Sequence, residues 1–160
     1  MRKIPVDESI FIHAFERDVD FHDHFPQSTY LDLETGEVMW IYEDDEEAEF
    51  ETGIEPEESA ALREKINTFP ERYLLIPGRD HGEHHDILRD FLKSHWTDDE
   101  ELRLWAQDAY AGSIGRWMEA VNDQEVVHAY FRFRERTIKE LAEEFLKESG
   151  IQPVWRLSVF

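Results

Sequence analysis

Apolar and polar residues alternate along two short stretches near the start of the chain, at residues 29–33 and 37–42. A period of two, with β-branched and aromatic side chains, is typical of strands that bury one face. Glu34, Thr35 and Gly36 separate the two stretches, and a short connection that contains glycine predicts a β-hairpin. A third strand is predicted in the sequence RYLLIPG, where it ends at Pro77.

Elsewhere the apolar residues recur three and four positions apart, which predicts helices with one buried face. Asp7 is expected to cap a short helix that follows it, because an aspartate side chain accepts hydrogen bonds from the first N–H groups of a helix. Pro56 is expected to open another helix, through residue 67. In the C-terminal half, helices are predicted at about 82–95, after a capping box at 97–100, from Ser113 through Val121, and at about 124–149.

This order of elements predicts an α+β fold, with a small antiparallel three-stranded sheet and a predominantly helical C-terminal half. A chain of 160 residues, of which 41% are hydrophobic and 13% aromatic, has enough material for one core. We therefore expect a single domain over residues 1–160.

The charge is strongly negative, because 38 acidic residues face 17 Lys and Arg and the net charge is −21. Such a field repels the phosphates of nucleic acids and anionic lipids, so we expect no direct nucleic-acid partner and no membrane partner. Residues 43–58 contain ten acids and no basic residue. They predict a solvated acidic loop, since like charges repel one another.

No apolar stretch approaches the roughly 20 residues that cross a bilayer, and the N-terminus lacks the pattern of a secretory signal. The chain has no cysteine, which excludes disulfides and cysteine chemistry. A cytoplasmic location is therefore expected. Arginine outnumbers lysine by twelve to five, and together with the acidity this suggests the hypothesis of a host with a salty cytoplasm.

Several segments together resemble uncharacterised protein family 0158, a set of bacterial proteins defined by sequence. The segments are, in order, YLDLETGEV, RYLLIP, ILRDFLKSH, AYAGSIGRWMEAV and YFRFRERTIKELAEEFLKESGI. The resemblance extends from about residue 6 to residue 152 and depends on the order of the segments. It implies a shared α+β fold, and it brings no activity, substrate or catalytic residue.

The segment YAGSIGRWMEAV, residues 110–121, raises the question of a phosphate-binding corner. Backbone N–H groups from Ser113 onward, with Arg116 as a charged clamp and Trp117 beside it, would suit an anion or a partner. No strand precedes the segment, although the known phosphate loops require one. The alternative is a corner between two helices, in which Gly112 ends one helix and Ser113 caps the next.

A second candidate binding surface lies near Tyr130, where Arg132, Arg134 and Arg136 concentrate positive charge. On a helix Arg132 and Arg136 share a face, and Arg134 points elsewhere. The cluster would recognise an acidic peptide or a phosphate, or it would form ion pairs with neighbouring acids along the helix.

Two groups of histidines offer a metal site as the alternative: His22 and His24 in one, His81 and His84 in the other. Imidazoles with a carboxylate would suit zinc or another transition metal if the two groups met in space. Asp32 and Glu37, on either side of the hairpin turn, form a candidate carboxylate pair for acid–base chemistry, or they are exposed turn residues.

Two functions follow from these candidates. The first is a non-enzymatic binding or adaptor domain without a cofactor, whose exposed aromatic patch near Arg116, Trp117, Ser113, Tyr130, Arg132 and Arg136 takes an unknown protein or a small anionic ligand. The second is a small metal-assisted hydrolase that uses the histidines. A monomer or a homodimer is expected in either case.

Overall fold

The computed structural model describes residues 1–19, 27–95 and 114–157, which contain five strands and six helices. In chain order these are β1 (Arg2–Asp7), α1 (Glu8–Glu16), β2 (Gln27–Asp32), β3 (Val38–Tyr42), α2 (Asp45–Thr52), α3 (Pro56–Thr68), β4 (Tyr73–Ile76), α4 (His81–His95), α5 (Ile114–Val121), α6 (Gln124–Glu148) and β5 (Ile151–Arg156). The fold is α+β with a mostly helical C-terminal half, as predicted.

The chain divides into two compact units. Unit 1 contains residues 1–79 and 142–160, and unit 2 contains residues 80–141. A single domain over the whole chain stays a prediction.

The predicted hairpin and third strand form an antiparallel sheet in unit 1, in the order β3-β2-β4. Leu31 pairs with Val38 across the hairpin, and Thr29 pairs with Ile76 on the other side. The Thr29 hydroxyl is buried and donates to the Ile76 carbonyl oxygen over 3.0 Å. Because this hydrogen bond satisfies the hydroxyl group, the polar side chain of Thr29 can lie in the core.

A second sheet of unit 1, formed by β1 and β5, was not predicted from the sequence. The two strands pair in parallel, from Arg2 with Ile151 to Asp7 with Arg156. Ile4 and Val6 point into the core from β1. Asp7 ends this strand and caps α1, since its carboxylate accepts from the Ile10 N–H over 3.0 Å, as the sequence predicted.

The core of unit 1 contains aromatic rings from distant parts of the sequence. The Phe11 ring centroid lies 6.2 Å from that of Phe15 and 5.8 Å from that of Trp155. Phe15 also contacts Phe145, with centroids 5.8 Å apart. The buried apolar residues of this unit are Ile4, Val6, Phe11, Ala14, Phe15, Leu31, Ala48, Ile66, Tyr73, Ile76, Ala142, Leu146 and Ile151.

Most of the acidic segment 43–58 is helical, and the prediction of a loop over the whole segment is wrong. Helix α2 occupies Asp45–Thr52, and α3 begins at Pro56. The Asp44 carboxylate accepts from the N–H groups of Glu46 and Glu47, and Gly53 ends the helix in the left-handed conformation. Acidic side chains in the first turn also stabilise the positive end of the helix dipole, so the charge that suggested a loop supports the helix start.

Unit 2 is helical in its described part, with α4, α5 and residues 124–141 of α6. These helices confirm the predicted ones, and Gly150, with a φ of 79°, follows α6 as expected of a helix stop. The predicted capping box at 97–100 lies outside the described residues. The buried apolar residues of this unit are Ile87, Leu88, Phe91, Leu92, Trp117, Val121, Tyr130 and Ile138.

Within the described ranges, no helix combines the length and the apolar character that a membrane crossing requires.

Candidate functional site

The exposed side of α2 carries an aromatic ring among carboxylates. Phe50 is 83% exposed, whereas Ala48, which lies on the opposite side of the helix, is 2% exposed. Glu46 and Glu47 precede Phe50 by four and three positions and therefore share its side of the helix. We call this region the acidic helix surface; it consists of Glu46, Glu47, Glu49, Phe50 and Glu51.

The carboxylates of the acidic helix surface repel one another. Loss of surrounding water, together with the negative charges of Asp44, Glu51 and Glu46, raises the pKa of Glu47 above its ordinary value. A nearby positive charge would relieve this repulsion. The surface is therefore complementary to a cationic partner.

Arg63, on α3, fixes α2 in place. Its guanidinium donates to the Asp45 carboxylate over 2.9 Å and to the main-chain oxygens of Tyr42 and Glu43 at the end of β3. One side chain thus connects β3, α2 and α3. These contacts hold α2 in a fixed position against β3 and α3.

Asp32, at the end of β2, forms a two-pronged ion pair with Arg72. The carboxylate oxygens lie 3.0 and 2.9 Å from the Nε and Nη2 atoms of Arg72, and the Asp32 side chain is 5% exposed. Nη1 of the same guanidinium lies 3.2 Å from the Glu34 carboxylate. Asp32 also accepts from the N–H groups of Glu34 and Thr35, which closes the hairpin turn.

These contacts determine the protonation state of Asp32. Burial alone would raise the pKa of Asp32, but the hydrogen bonds from Arg72, Glu34 and Thr35 outweigh it and hold the pKa below its ordinary value. With its pKa below the ordinary value, the carboxylate is charged at neutral pH. Asp32 is thus a buried partner of Arg72, so the prediction of an exposed turn acid is wrong for Asp32. Acid–base chemistry by the Asp32–Glu37 pair stays a prediction.

An open groove of about 550 Å³ lies beside this ion pair in unit 1. Its floor and walls come from the hairpin turn, the start of β1 and the segment that joins α3 to β4. Phe69 exposes 55% of its surface at the groove. We call it the Phe69 groove; its lining residues are Arg2, Glu34, Thr68, Phe69, Pro70, Glu71 and Arg72.

Trp117 and Tyr130, which the sequence placed in an exposed patch, are buried in the core of unit 2. They are 0% and 1% exposed, and their ring centroids lie 5.3 Å apart. Phe91 packs against both rings. Burial raises the pKa of Tyr130, and the nearby positive charge of Arg134 lowers it in part. The prediction of an aromatic surface at these two residues is therefore wrong, because their rings fill the space between α4, α5 and α6.

Three arginines of the predicted binding surface are exposed, and Arg134 is half-buried. Arg116 lies on α5, and Arg132 and Arg136 lie on α6. The Cζ atom of Arg136 is 5.9 Å from the centroid of the Phe133 ring. Ser113 lies outside the described residues. An anion site at these arginines stays a prediction.

The histidines of α4 lie close together at its first turns. The ring centroids of His81 and His85 are 3.8 Å apart, and Nη2 of Arg134 lies 3.4 Å from Nδ1 of His84. Since a guanidinium only donates, Nδ1 of His84 faces Arg134 as an acceptor. His84 is buried.

The predicted meeting of the two histidine groups is untested, because His22 and His24 lie outside the described residues. Among the residues that the structure does describe, no group of three or more His, Asp or Glu side chains has an arrangement that would hold a metal ion. The metal-assisted hydrolase stays a hypothesis.

No protein-family model matches the chain, and searches of curated proteins and of solved structures find no match. The resemblance to uncharacterised protein family 0158 stays a prediction.

Two features of unit 1 were missed from the sequence, and only one of them had a local signal. Asp44 before α2 and Gly53 after it are a helix cap and a helix stop, so this helix could have been found from the sequence. The groove had no such signal, since Arg2, Glu34 and Phe69 are far apart in the sequence.

Proposed function

We propose that the protein is a non-enzymatic binding domain that takes a basic, amphipathic segment of a partner protein on the acidic helix surface. The observation that carries this proposal is the exposure of Phe50, 83%, on a helix whose opposite side is buried through Ala48. Large aromatic side chains anchor protein interfaces when they are covered by a partner. Phe50 is placed to be such an anchor.

The charge around Phe50 supports a basic partner. Glu46, Glu47, Glu49 and Glu51 lie beside it, and the net charge of the whole chain is −21. Charges of this kind attract a cationic partner over a distance and orient it before contact. A partner with lysines or arginines beside an apolar residue would match both the charge and the ring.

The position of α2 supports a preformed site. Arg63 connects Asp45 to the end of β3, so the helix is held by side-chain contacts within unit 1. Binding to a preformed surface loses less conformational entropy than binding to a segment that must first become ordered.

The ion pair with Arg72 gives the Asp32 carboxylate a structural role in the proposed binding unit. A general acid or base works best with a pKa near the operating pH, whereas the pKa of Asp32 is lowered by Arg72 and by two backbone N–H groups. This buried carboxylate is therefore a fixed charge that supports the hairpin.

The test uses a fluorescent amphipathic peptide that alternates lysine and leucine in helical spacing, with a glutamate-for-lysine peptide as its control. We expect the basic peptide to bind, more weakly as KCl rises, and Phe50→Ser to lower the affinity about tenfold or more, as for an interface anchor. Phe131→Ser removes another exposed phenylalanine and should leave the affinity unchanged. Equal affinity of the wild type and Phe50→Ser, measured by fluorescence anisotropy, would refute the proposal.

A further inference from the structure

We infer that the Phe69 groove binds one cationic side-chain group, an ammonium or a guanidinium, of the basic partner. The inference rests on the proposed function and adds a second point of contact within unit 1. Four properties of the groove support it: its charge balance, the helix end beside it, the exposed ring of Phe69 and the place of Arg2.

The charge of the groove, taken together with the buried carboxylate of Asp32 behind it, is negative. Asp32 and Glu34 together hold the single guanidinium of Arg72, which leaves an excess of one negative charge. Glu71 adds a carboxylate to the lining, and Arg2 adds one positive charge. The charged lining residues Arg2, Glu34, Glu71 and Arg72 alone sum to zero, and the buried Asp32 behind Arg72 brings the net charge of the five groups to −1. The positive charge of Arg72 is already matched by its ion pairs.

The C-terminal end of α3 adds further negative character. The helix ends at Thr68, and the Phe69 N–H donates to the Lys65 carbonyl oxygen. Pro70, four residues after Ile66, has no N–H to donate to the Ile66 carbonyl. Carbonyl oxygens at a helix end carry partial negative charge and favour a cation nearby.

The Phe69 ring offers a surface for the same cation. It is more than half exposed, and it stands between Thr68 and Pro70 in the groove wall. A guanidinium or ammonium over an aromatic face is attracted by the ring, most strongly for a flat guanidinium that can stack. The volume of about 550 Å³ is within the usual range of ligand pockets, so a side chain and its flanking backbone fit.

Arg2 is the lining residue whose positive charge would oppose a bound cation. Its side chain is exposed and forms no ion pair with any residue that the structure describes. Removal of Arg2 should therefore strengthen binding of a cation and weaken binding of an anion. Removal of Glu71 should do the opposite.

The test is an NMR titration of the ¹⁵N-labelled full chain with argininamide at low ionic strength. Citrullinamide, of nearly the same shape but with an uncharged side chain, is the control ligand. We expect argininamide to shift the amide signals of Phe69, Glu71 and Arg72, and citrullinamide to shift them much less. Equal binding of the two ligands, or no binding of argininamide, would overturn the inference.

Three variants test the contacts. Glu71→Gln and Phe69→Leu should each weaken argininamide binding about two- to fivefold, and Arg2→Gln should strengthen it by a similar factor, the range expected of exposed charge and ring contacts. Weaker argininamide binding by Arg2→Gln would show that Arg2 does not oppose the bound cation and would overturn the inference. Heteronuclear spectra of each variant establish that the fold is retained.

The variant Phe50→Ser separates the inference from the proposed function. If it loses the basic peptide but binds argininamide as the wild type does, both proposals hold. If argininamide fails to bind the wild type while Phe50→Ser still weakens binding of the peptide, the groove inference is wrong and the proposed function stands. A third outcome is that Phe50→Ser leaves the affinity for the peptide unchanged, while Glu71→Gln and Phe69→Leu weaken argininamide binding. The proposed function is then wrong, and the groove binds cations for another partner.

Discussion

Gly36, in the turn of the hairpin, lies directly against the backbone of Pro5 in β1. A Cβ atom at Gly36 would overlap the Pro5 carbonyl oxygen, and the φ of Gly36 is 78°, which side chains other than glycine rarely adopt. The Gly36 N–H donates to the Asp32 carbonyl oxygen over 2.7 Å, and this hydrogen bond closes the hairpin turn. The first strand and the hairpin of unit 1 therefore depend on a position without a side chain.

Gly36→Ala should lower the free energy of unfolding by about 3 kcal/mol or more, because it combines backbone strain with a steric overlap. Gly53→Ala is the matched control: its φ is 76°, and nothing lies within 4 Å of its added Cβ. It should cost only about 1–2 kcal/mol, the price of the left-handed conformation. Urea unfolding measures both, and equal losses would show that the contact with Pro5 has no energetic role.

Asp32→Asn should lower the free energy of unfolding by about 2–3 kcal/mol, since it removes the charge from a buried acceptor of several hydrogen bonds. Glu34→Gln, which changes an exposed carboxylate on the same guanidinium, should have a smaller effect. Chemical denaturation at pH 7 measures both variants. A loss for Glu34→Gln as large as that for Asp32→Asn would contradict the assignment of Asp32 as the principal partner.

The stabilisation by Asp32 should also depend on pH. Its pKa in the folded chain is lowered below the ordinary value of 3.8, so the contribution is present above that value and is lost as the pH falls through the folded pKa. The difference in stability between the wild type and Asp32→Asn should thus narrow below about pH 4. A difference that stays constant from pH 7 to pH 2 would mean that the carboxylate is not held in its charged form.

Trp117→Ala should lower the free energy of unfolding by about 3–5 kcal/mol, the usual cost of removing a large buried aromatic side chain. Arg116→Ala, one residue earlier and exposed, should cost less than about 1 kcal/mol. The comparison, by thermal or urea unfolding, tests whether Trp117 belongs to the core of unit 2. Similar small effects of the two changes would indicate that Trp117 lies on the surface, as the sequence predicted.

Added KCl should raise the melting temperature, because salt screens the repulsion among the carboxylates of α2. Glu47→Gln should reduce this dependence, since the negative charges of Asp44, Glu46 and Glu51 raise the pKa of Glu47. Scanning calorimetry from 0.05 to 2 M KCl measures the slope for both proteins. A melting temperature that is insensitive to KCl would count against both the repulsion and the hypothesis of adaptation to a salty cytoplasm.

The metal-assisted hydrolase has its own test. If His81 and His84 hold zinc together with His22 or His24, zinc should raise the melting temperature by several degrees, and His84→Ala together with His81→Ala should abolish the shift. We expect no such shift for a binding domain. Isothermal titration calorimetry with zinc on the wild type and the double variant decides between the two functions.

Local patterns predicted the helices and the hairpin well. Asp7 was identified as a cap and Gly150 as a stop because both act through backbone groups a few residues away. The strands β1 and β5 were missed because they contain prolines, Pro5 and Pro153, and because each finds its partner far along the chain.

The candidate site was less accessible from the sequence. Asp32 and Arg72 are 40 residues apart, and no periodicity connects them, so their ion pair depends on the register of β2 with β4. Trp117 and Tyr130 carried ambiguous signals, since an aromatic residue beside an arginine suits an interface as well as a core. Phe50 was not identified as a candidate residue, because the acidic residues around it suggested a loop.

The pairing of β1 with β5 affects how the protein is made on the ribosome. Residues 2–7 emerge before unit 2, and their partner strand, residues 151–156, is translated only after all of unit 2. Unit 1 therefore cannot complete its parallel sheet until unit 2 has been translated, whereas the contiguous residues of unit 2 do not depend on that pairing. Until then the backbone of β1 lacks its partner strand, and an unpaired strand that carries apolar side chains such as Ile4 and Val6 can pair with another chain instead.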